Sequence, residues 1–235
     1  MPVHRMEGCD QGFLVIRSEE GKVIATGNHV QVTHGDLVTS RTVFHFKDGS
    51  LDDDTTIFSQ RRIFHLISDH HVQKGPFFPH PIDLIIDAGK GQVTLRTTGK
   101  DGKDELKSDH MDLPPDLANG MITQVMQNLL PGTGGATVSM LVLTPKPRIV
   151  KIVISHVGDS PFTVAGTSIQ GVHFEIKIDL GGAAAIVAPM IGKAPPNIET
   201  WIVGGLAPTF LREVGPIYAD GPSVAIELAS PAWGG

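Results

Sequence analysis

Cysteine is almost absent: Cys9 stands alone in 235 residues, so the chain can form neither an internal disulfide nor a thiolate metal site. Aromatic side chains are also scarce, with Phe 10, Trp 2 and Tyr 1, too few for a stacking platform for bases or sugars. No apolar run approaches the roughly 18 residues that a membrane-spanning helix requires. Positive charge is in deficit, the formal net charge being −6. Nucleic acid and anionic membranes, which want a basic face, are therefore poor partners. No G-x-S-x-G, G-x-G-x-x-G or G-x-x-x-x-G-K-[ST] motif occurs, which removes the commonest hydrolase, dinucleotide and P-loop readings. Nothing in these patterns calls for a cofactor. The opening MPVHRMEGCDQG lacks the apolar segment of a signal peptide. Two settings stay open: a cytoplasmic protein, or a periplasmic or secreted one whose leader was removed and replaced by Met1.

What is abundant is punctuation. Gly 27 and Pro 17 are scattered singly between apolar runs, as turn residues of a many-stranded protein are. Hydrophobic residues at 40% and charged residues at 19% describe a globular chain. Short β-rich runs recur about every ten residues. In the first half they are 13–17 (FLVIR), 22–26, 29–33, 37–46, 55–59, 63–67, 82–86, 92–98 and 105–111. In the second they are 138–143, 148–156, 162–165, 172–180, 184–188, 200–203, 209–214 and 223–228. Within VHFEIKIDL, Val172, Phe174, Ile176 and Ile178 form one face and His173, Glu175, Lys177 and Asp179 the other, so one side meets core and the other water.

Between the halves the period changes. Leu117, Met121, Val125 and Leu129 lie four apart, with Ile122 and Met126 widening the face. This predicts an amphipathic helix over 116–130, capped by Asp116 and stopped by Pro131-Gly132. A single domain over 1–235 follows: a strand meander over 12–111, the helix, and a second meander over 138–229. The expected fold is all-β, an antiparallel open or half-closed barrel wrapped around one central amphipathic helix.

Candidate chemistry concentrates in 58–83, which holds Arg62, His65, Asp69, His70 and His71. Imidazoles beside a carboxylate suit acid–base work. No metal is expected, because the histidines lack ligand spacing and adjacent His70 and His71 on a strand face opposite ways. Asp52-Asp53-Asp54 lacks calcium-loop spacing and reads as a solvated turn. The loop 74–81 carries Lys74 beside Phe77 and Phe78, and either rims an open barrel end or plugs it. Segment 181–192 (GGAAAIVAPMIG) is small and apolar on both faces, so it is a doubly buried strand or the wall of an apolar pocket. In the pocket reading Ile186, Val187 and Met190 form the wall, and Lys74, Phe77 and Phe78 the mouth.

The order of hairpins over 13–111, LPPDLANGMITQVMQNLL and the Gly- and Pro-punctuated 184–230 resembles the bacterial lipoprotein-carrier half-barrel superfamily (LolA/LolB-like) and related exported β-rich proteins. The chain departs from the carriers in its longer second half, its fewer aromatics and the lack of a lipoprotein cysteine after a leader. The resemblance implies an extracytoplasmic binding protein that holds a lipid or other apolar ligand between sheet and helix, with a partner protein in the cell envelope among its expected partners. An enzyme using the 61–83 cluster on a small apolar substrate, and a structural envelope protein, are the alternatives.

Overall fold

A computed structural model describes residues 1–98, 104–129, 134–143, 147–164, 167–179, 196–205 and 208–229. The first eight strands are β1 (Asp10–Arg17), β2 (Val23–His34), β3 (Leu37–Phe46), β4 (Leu51–Ser59), β5 (His65–Lys74), β6 (Ile82–Asp87), β7 (Gln92–Thr98) and β8 (Asp104–His110). One helix, α1 (Ile122–Gln127), precedes β9 (Gly135–Val142), β10 (Arg148–Val164), β11 (Thr167–Asp179), β12 (Ile198–Val203), β13 (Thr209–Pro216) and β14 (Ser223–Leu228). All fourteen strands form one antiparallel sheet, ordered β8-β7-β6-β5-β4-β3-β2-β1-β14-β13-β12-β11-β10-β9. Chain neighbours pair as hairpins, and the first and last strands meet in the middle, with Leu14 opposite Leu228 and Ile16 opposite Ile226. The edges β8 and β9 do not pair, so the sheet is not closed.

Local chemistry accounts for the hairpins. Between β3 and β4, Gly49 takes φ +88°, open to glycine, and Asp48 accepts a 2.9 Å hydrogen bond from the Ser50 amide. In β11, Phe174 and Ile176 are buried while Lys177 is exposed, as the alternation required. Phe58, Leu66 and Ile86 of one arm share a core with Ile154, Phe174 and Ile202 of the other. The two arms therefore curve toward each other around one interior.

The chain crosses that interior between β8 and β9, and here the expectation of a 116–130 amphipathic helix is corrected. Helix α1 has only six residues, and its N-cap position, Met121, makes no side-chain cap. Gly120 sits at φ +65°, outside the helical region. Before it the chain turns on either side of a single bridge: Leu117 bridges Ser139 in parallel, and the Ala118 amide donates to the Ser139 carbonyl at 2.9 Å. Asp116 caps nothing, because its carboxylate accepts from Ser139 Oγ at 2.7 Å and Lys151 Nζ at 2.8 Å. Nor is the segment amphipathic: Leu117, Ala118, Met121, Val125 and Met126 are buried, and so are Gln124 and Asn128. The four-residue spacing marked residues enclosed on every side, not one stripe of a long helix. The bridge to β9 also covers an edge that would otherwise be free.

A smaller cluster fills the concavity of the central strands: Leu14, Ile16, Ala25, Phe44, Phe46, Phe78 and Val224. The loop after β5 closes it. Phe77 stacks on Phe46 at 4.6 Å between ring centroids, Tyr218 meets both Phe77 and Phe78 edge-on, and the Phe77 amide donates to Ser50 Oγ at 2.8 Å. Among the described residues, no helix is long and apolar enough to cross a membrane.

Candidate functional site

Side chains alternate along a strand, and the register aligns those of one face across neighbouring strands. One such row runs Asp10, Gln31, Ser40, Thr56, Asp69; the next runs Gly12, His29, Thr42, Asp54, His71. A third runs Leu14, Gly27, Phe44, Asp52, Gln73. Gln31, Ser40, Thr56, Asp69 and Gln73 are buried, so this is the inner face. It corrects the reading of Asp52–Asp54 as a solvated turn. All three residues lie in β4, with Asp52 and Asp54 turned inward and Asp53 outward in a bidentate pair with Arg41.

The inner polar groups are matched to one another. Thr56 Oγ1 donates to Asp69 Oδ1 at 2.8 Å, and His71 Nε2 lies 2.7 Å from Asp52 Oδ1. Gln73 Nε2 reaches Asp52 at 3.2 Å and the Ile217 carbonyl at 2.9 Å. Burial pushes the Asp54 carboxyl well above the carboxylate range, helped by the neighbouring charge of Asp69, and burial raises Asp69 too. Burial alone would lower His71, but the hydrogen bond to Asp52 and the charges of Asp54, Asp52 and Asp69 raise it to about 9. At neutral pH His71 is thus a cation set among aspartates. Asp54 Oδ1 has no donor against it.

Beside these rows, between β1–β3, β13, β14 and the crossing segment, lies a cavity of about 460 Å³. That is within the range of about 300–1,000 Å³ typical of small-molecule sites. Leu14, Phe44, Phe210, Ile226 and Leu228 supply an apolar side. Glu7, Asp10, His29, Gln31, Thr42, Gln124 and Glu213 supply a polar one. Burial raises both Glu213, which accepts from Thr200 Oγ1 at 3.1 Å, and Glu7, which accepts from Gln31 and Asn128. It lowers His29, favouring the neutral ring. A second cavity of about 360 Å³ shares Arg5, Gln127 and Pro208 with the first, and is walled chiefly by Met126, Leu129, Val172, Phe174 and Ile202.

The N-terminal segment helps to shape both cavities. The Asn128 side chain accepts from the His4 and Arg5 amides at 2.7 and 2.9 Å and donates to the Arg5 carbonyl at 2.7 Å. The Gln60 side chain accepts from the Glu7 amide and donates to its carbonyl.

Of the residues singled out from the sequence, Asp69 and His71 lie in the inner rows, Asp69 buried and His71 partly so. Gly120 covers Asp69: a Cβ built there would stand 1.8 Å from Thr56 Oγ1 and 2.5 Å from Asp69 Oδ1. Asp69 lines neither cavity. Arg62 and His65 are exposed, and His70 points outward to Asp83 at 2.8 Å. Lys74 is exposed, whereas Phe77 and Phe78 pack into the central cluster, away from both cavities. Ile186, Val187 and Met190 lie outside the described residues, as does the strand expected at 184–188. Glu213, Gln31, Gln124 and His29 were not singled out. For Glu213, Gln31 and His29 the one signal was polarity at alternate strand positions, which does not say which face is inside; Gln124 lies in α1. Among the described residues no three His, Cys, Asp or Glu side chains are arranged to hold a metal ion.

No family model matches the chain, and no curated protein matches it. Among solved structures, it is similar to a crystal structure from Brucella abortus, a β-barrel-like protein of domain of unknown function DUF1849. The similarity spans 95% of this chain and 96% of that one, with 10% identity and a TM-score of 0.48. The expected likeness to lipoprotein carriers is not shown by these comparisons.

Proposed function

We propose that this chain is a binding protein that holds a small amphipathic molecule in the concavity between its sheet and the crossing segment. The observation that carries the reading is the two-sided wall of the 460 Å³ cavity, apolar along Leu14, Phe210, Ile226 and Leu228 and polar along Glu7, His29, Gln124 and Glu213. A wholly apolar guest would leave the Gln124 carbonyl oxygen, which accepts no hydrogen bond from the protein, unsatisfied at a cost of about 1–3 kcal/mol. A wholly polar guest would waste the apolar side. The adjoining apolar cavity beside Val172, Phe174 and Ile202 gives a tail somewhere to run. A periplasmic or secreted setting belongs to the same proposal and is checked by fractionating the native cell.

The test is mass spectrometry of the natively purified protein, paired with titration of an environment-sensitive apolar dye. A co-purified amphiphile, displaced by the dye, supports the reading. Leu228→Trp, which fills the cavity, should abolish dye binding while circular dichroism stays unchanged. Dye bound equally well by this variant would sink the proposal.

A further inference from the structure

We infer that the cavity selects ligands whose polar end is a cationic amine, with Glu213 as the counter-ion; this rests on the binding role proposed above. Three carboxylates line the wall, Glu7, Asp10 and Glu213, against one described Lys or Arg side chain, Arg5. Arg5 is already committed, since its Nη2 donates to the Gly205 carbonyl at 2.7 Å and its charge acts on Glu7. Arg5 Nη1 has no partner, but it belongs to the junction of the two cavities and does not act on Glu213. Glu213 is part-buried in the cavity wall, takes a hydrogen bond from Thr200, and has no described cation in ion-pair contact. A buried carboxylate without a counter-charge is costly, and a ligand cation removes that cost.

A second observation points the same way. Gln124, 3% exposed, stands in the cavity wall, and its carbonyl oxygen accepts no hydrogen bond. Its amide nitrogen is already engaged by Gln31 Oε1 at 3.1 Å and Ser40 Oγ at 3.4 Å. The wall thus offers acceptors in surplus. A primary ammonium brings three donors and no acceptor. A carboxylate or phosphate head would instead be desolvated against Glu7 and Glu213, where like charges repel.

The experiment is calorimetric titration of the full chain at pH 7 with n-decylammonium, decanoate and decanol, below their aggregation limits. Decylammonium should bind at least about tenfold tighter than either competitor. Glu213→Gln should erase that preference, so that decylammonium binds this variant no tighter than decanol does. Decanoate or decanol binding as tightly as decylammonium to the wild-type protein would overturn the inference, and that arm depends on no variant. A preference that survives in folded Glu213→Gln would overturn it as well. Failure of all three probes to bind would instead defeat the binding role itself, and the inference with it.

Discussion

The arm from β2 to β5 turns Gln31, Ser40, Thr56, Asp69 and Gln73 toward the interior, whereas the arm from β9 to β12 turns Val138, Ile152, Ile154, Phe174 and Ile176 toward the same space. The pairing pattern is alike in both arms, so the difference lies wholly in side chains. The apolar arm holds the crossing segment by burial, worth roughly 25 cal/mol per Å² of apolar surface. The polar arm gains this through Val38, Phe58 and Leu66, but along its polar rows it must match each donor to an acceptor to avoid loss. What it gains is a charged, hydrogen-bonding floor next to the cavity. One side of this interior therefore serves cohesion, and the other holds the chemistry available for recognition.

The crossing segment is where the comparison breaks first. Val125 is 1% exposed in the shared core. Val125→Asp should cost about 3 kcal/mol or more, since the new charge has no partner there. Urea denaturation reads it, and an unchanged midpoint would refute the enclosed segment. Next is pH. Folded His71 keeps its proton to about 9, against 6.5 for the ordinary ring. Its stabilisation is fully present below about pH 6.5 and is lost as pH rises through 9. On the order of 3 kcal/mol should disappear over that window. Asp54, Asp69 and Glu213, all raised by burial, act with the same sign: each loses stability as pH climbs through its raised folded value. His71→Gln should flatten the profile in thermal melts from pH 6 to 10, and an equally steep variant would rule out its role.

Smaller effects sharpen the contrast. Gly120→Ala should cost about 2 kcal/mol, because its φ of +65° disfavours other residues and Thr56 Oγ1 occupies the space for a Cβ. Denaturant titration checks it, and a neutral outcome would mean the crossing lies elsewhere. The adjacent histidine gives the smallest effect. His70→Ala removes an exposed pair with Asp83, which Arg96 also approaches at 3.5 Å, and should shift stability by less than about 0.5 kcal/mol. If His70→Ala matched His71→Gln in its effect, the division into inner and outer faces would be wrong.

Much of the strand pattern was legible because burial on one face writes itself as period two, and Lys47-Asp48-Gly49 announces its turn. The helix was misjudged because Leu117, Met121, Val125 and Leu129 report burial at a spacing of four, and burial alone does not require helical backbone. Gly120 was the contrary sign: its positive φ ends the helical possibility before Met121. The candidate site was less legible. Asp52 and Asp54 look like a solvated turn in a linear reading, since polarity usually means water, and nothing local marks Asp69 and His71 of the 58–83 cluster as facing inward.

By itself, then, the sequence determined the all-β class, the antiparallel hairpins between chain neighbours and the opposite facing of His70 and His71. These follow from alternation and turn chemistry, which act over a few residues. Only the tertiary structure decided that β1 would pair with β14, that the two arms would share one interior, and that Asp54 and Glu213 would lie inside it. The physical reason is distance along the chain. Glu213 acquires its environment from Thr200 and from a cavity whose other walls stand near residues 7, 31 and 124. No local pattern can encode a neighbour two hundred residues away; the closing of the arms supplies it.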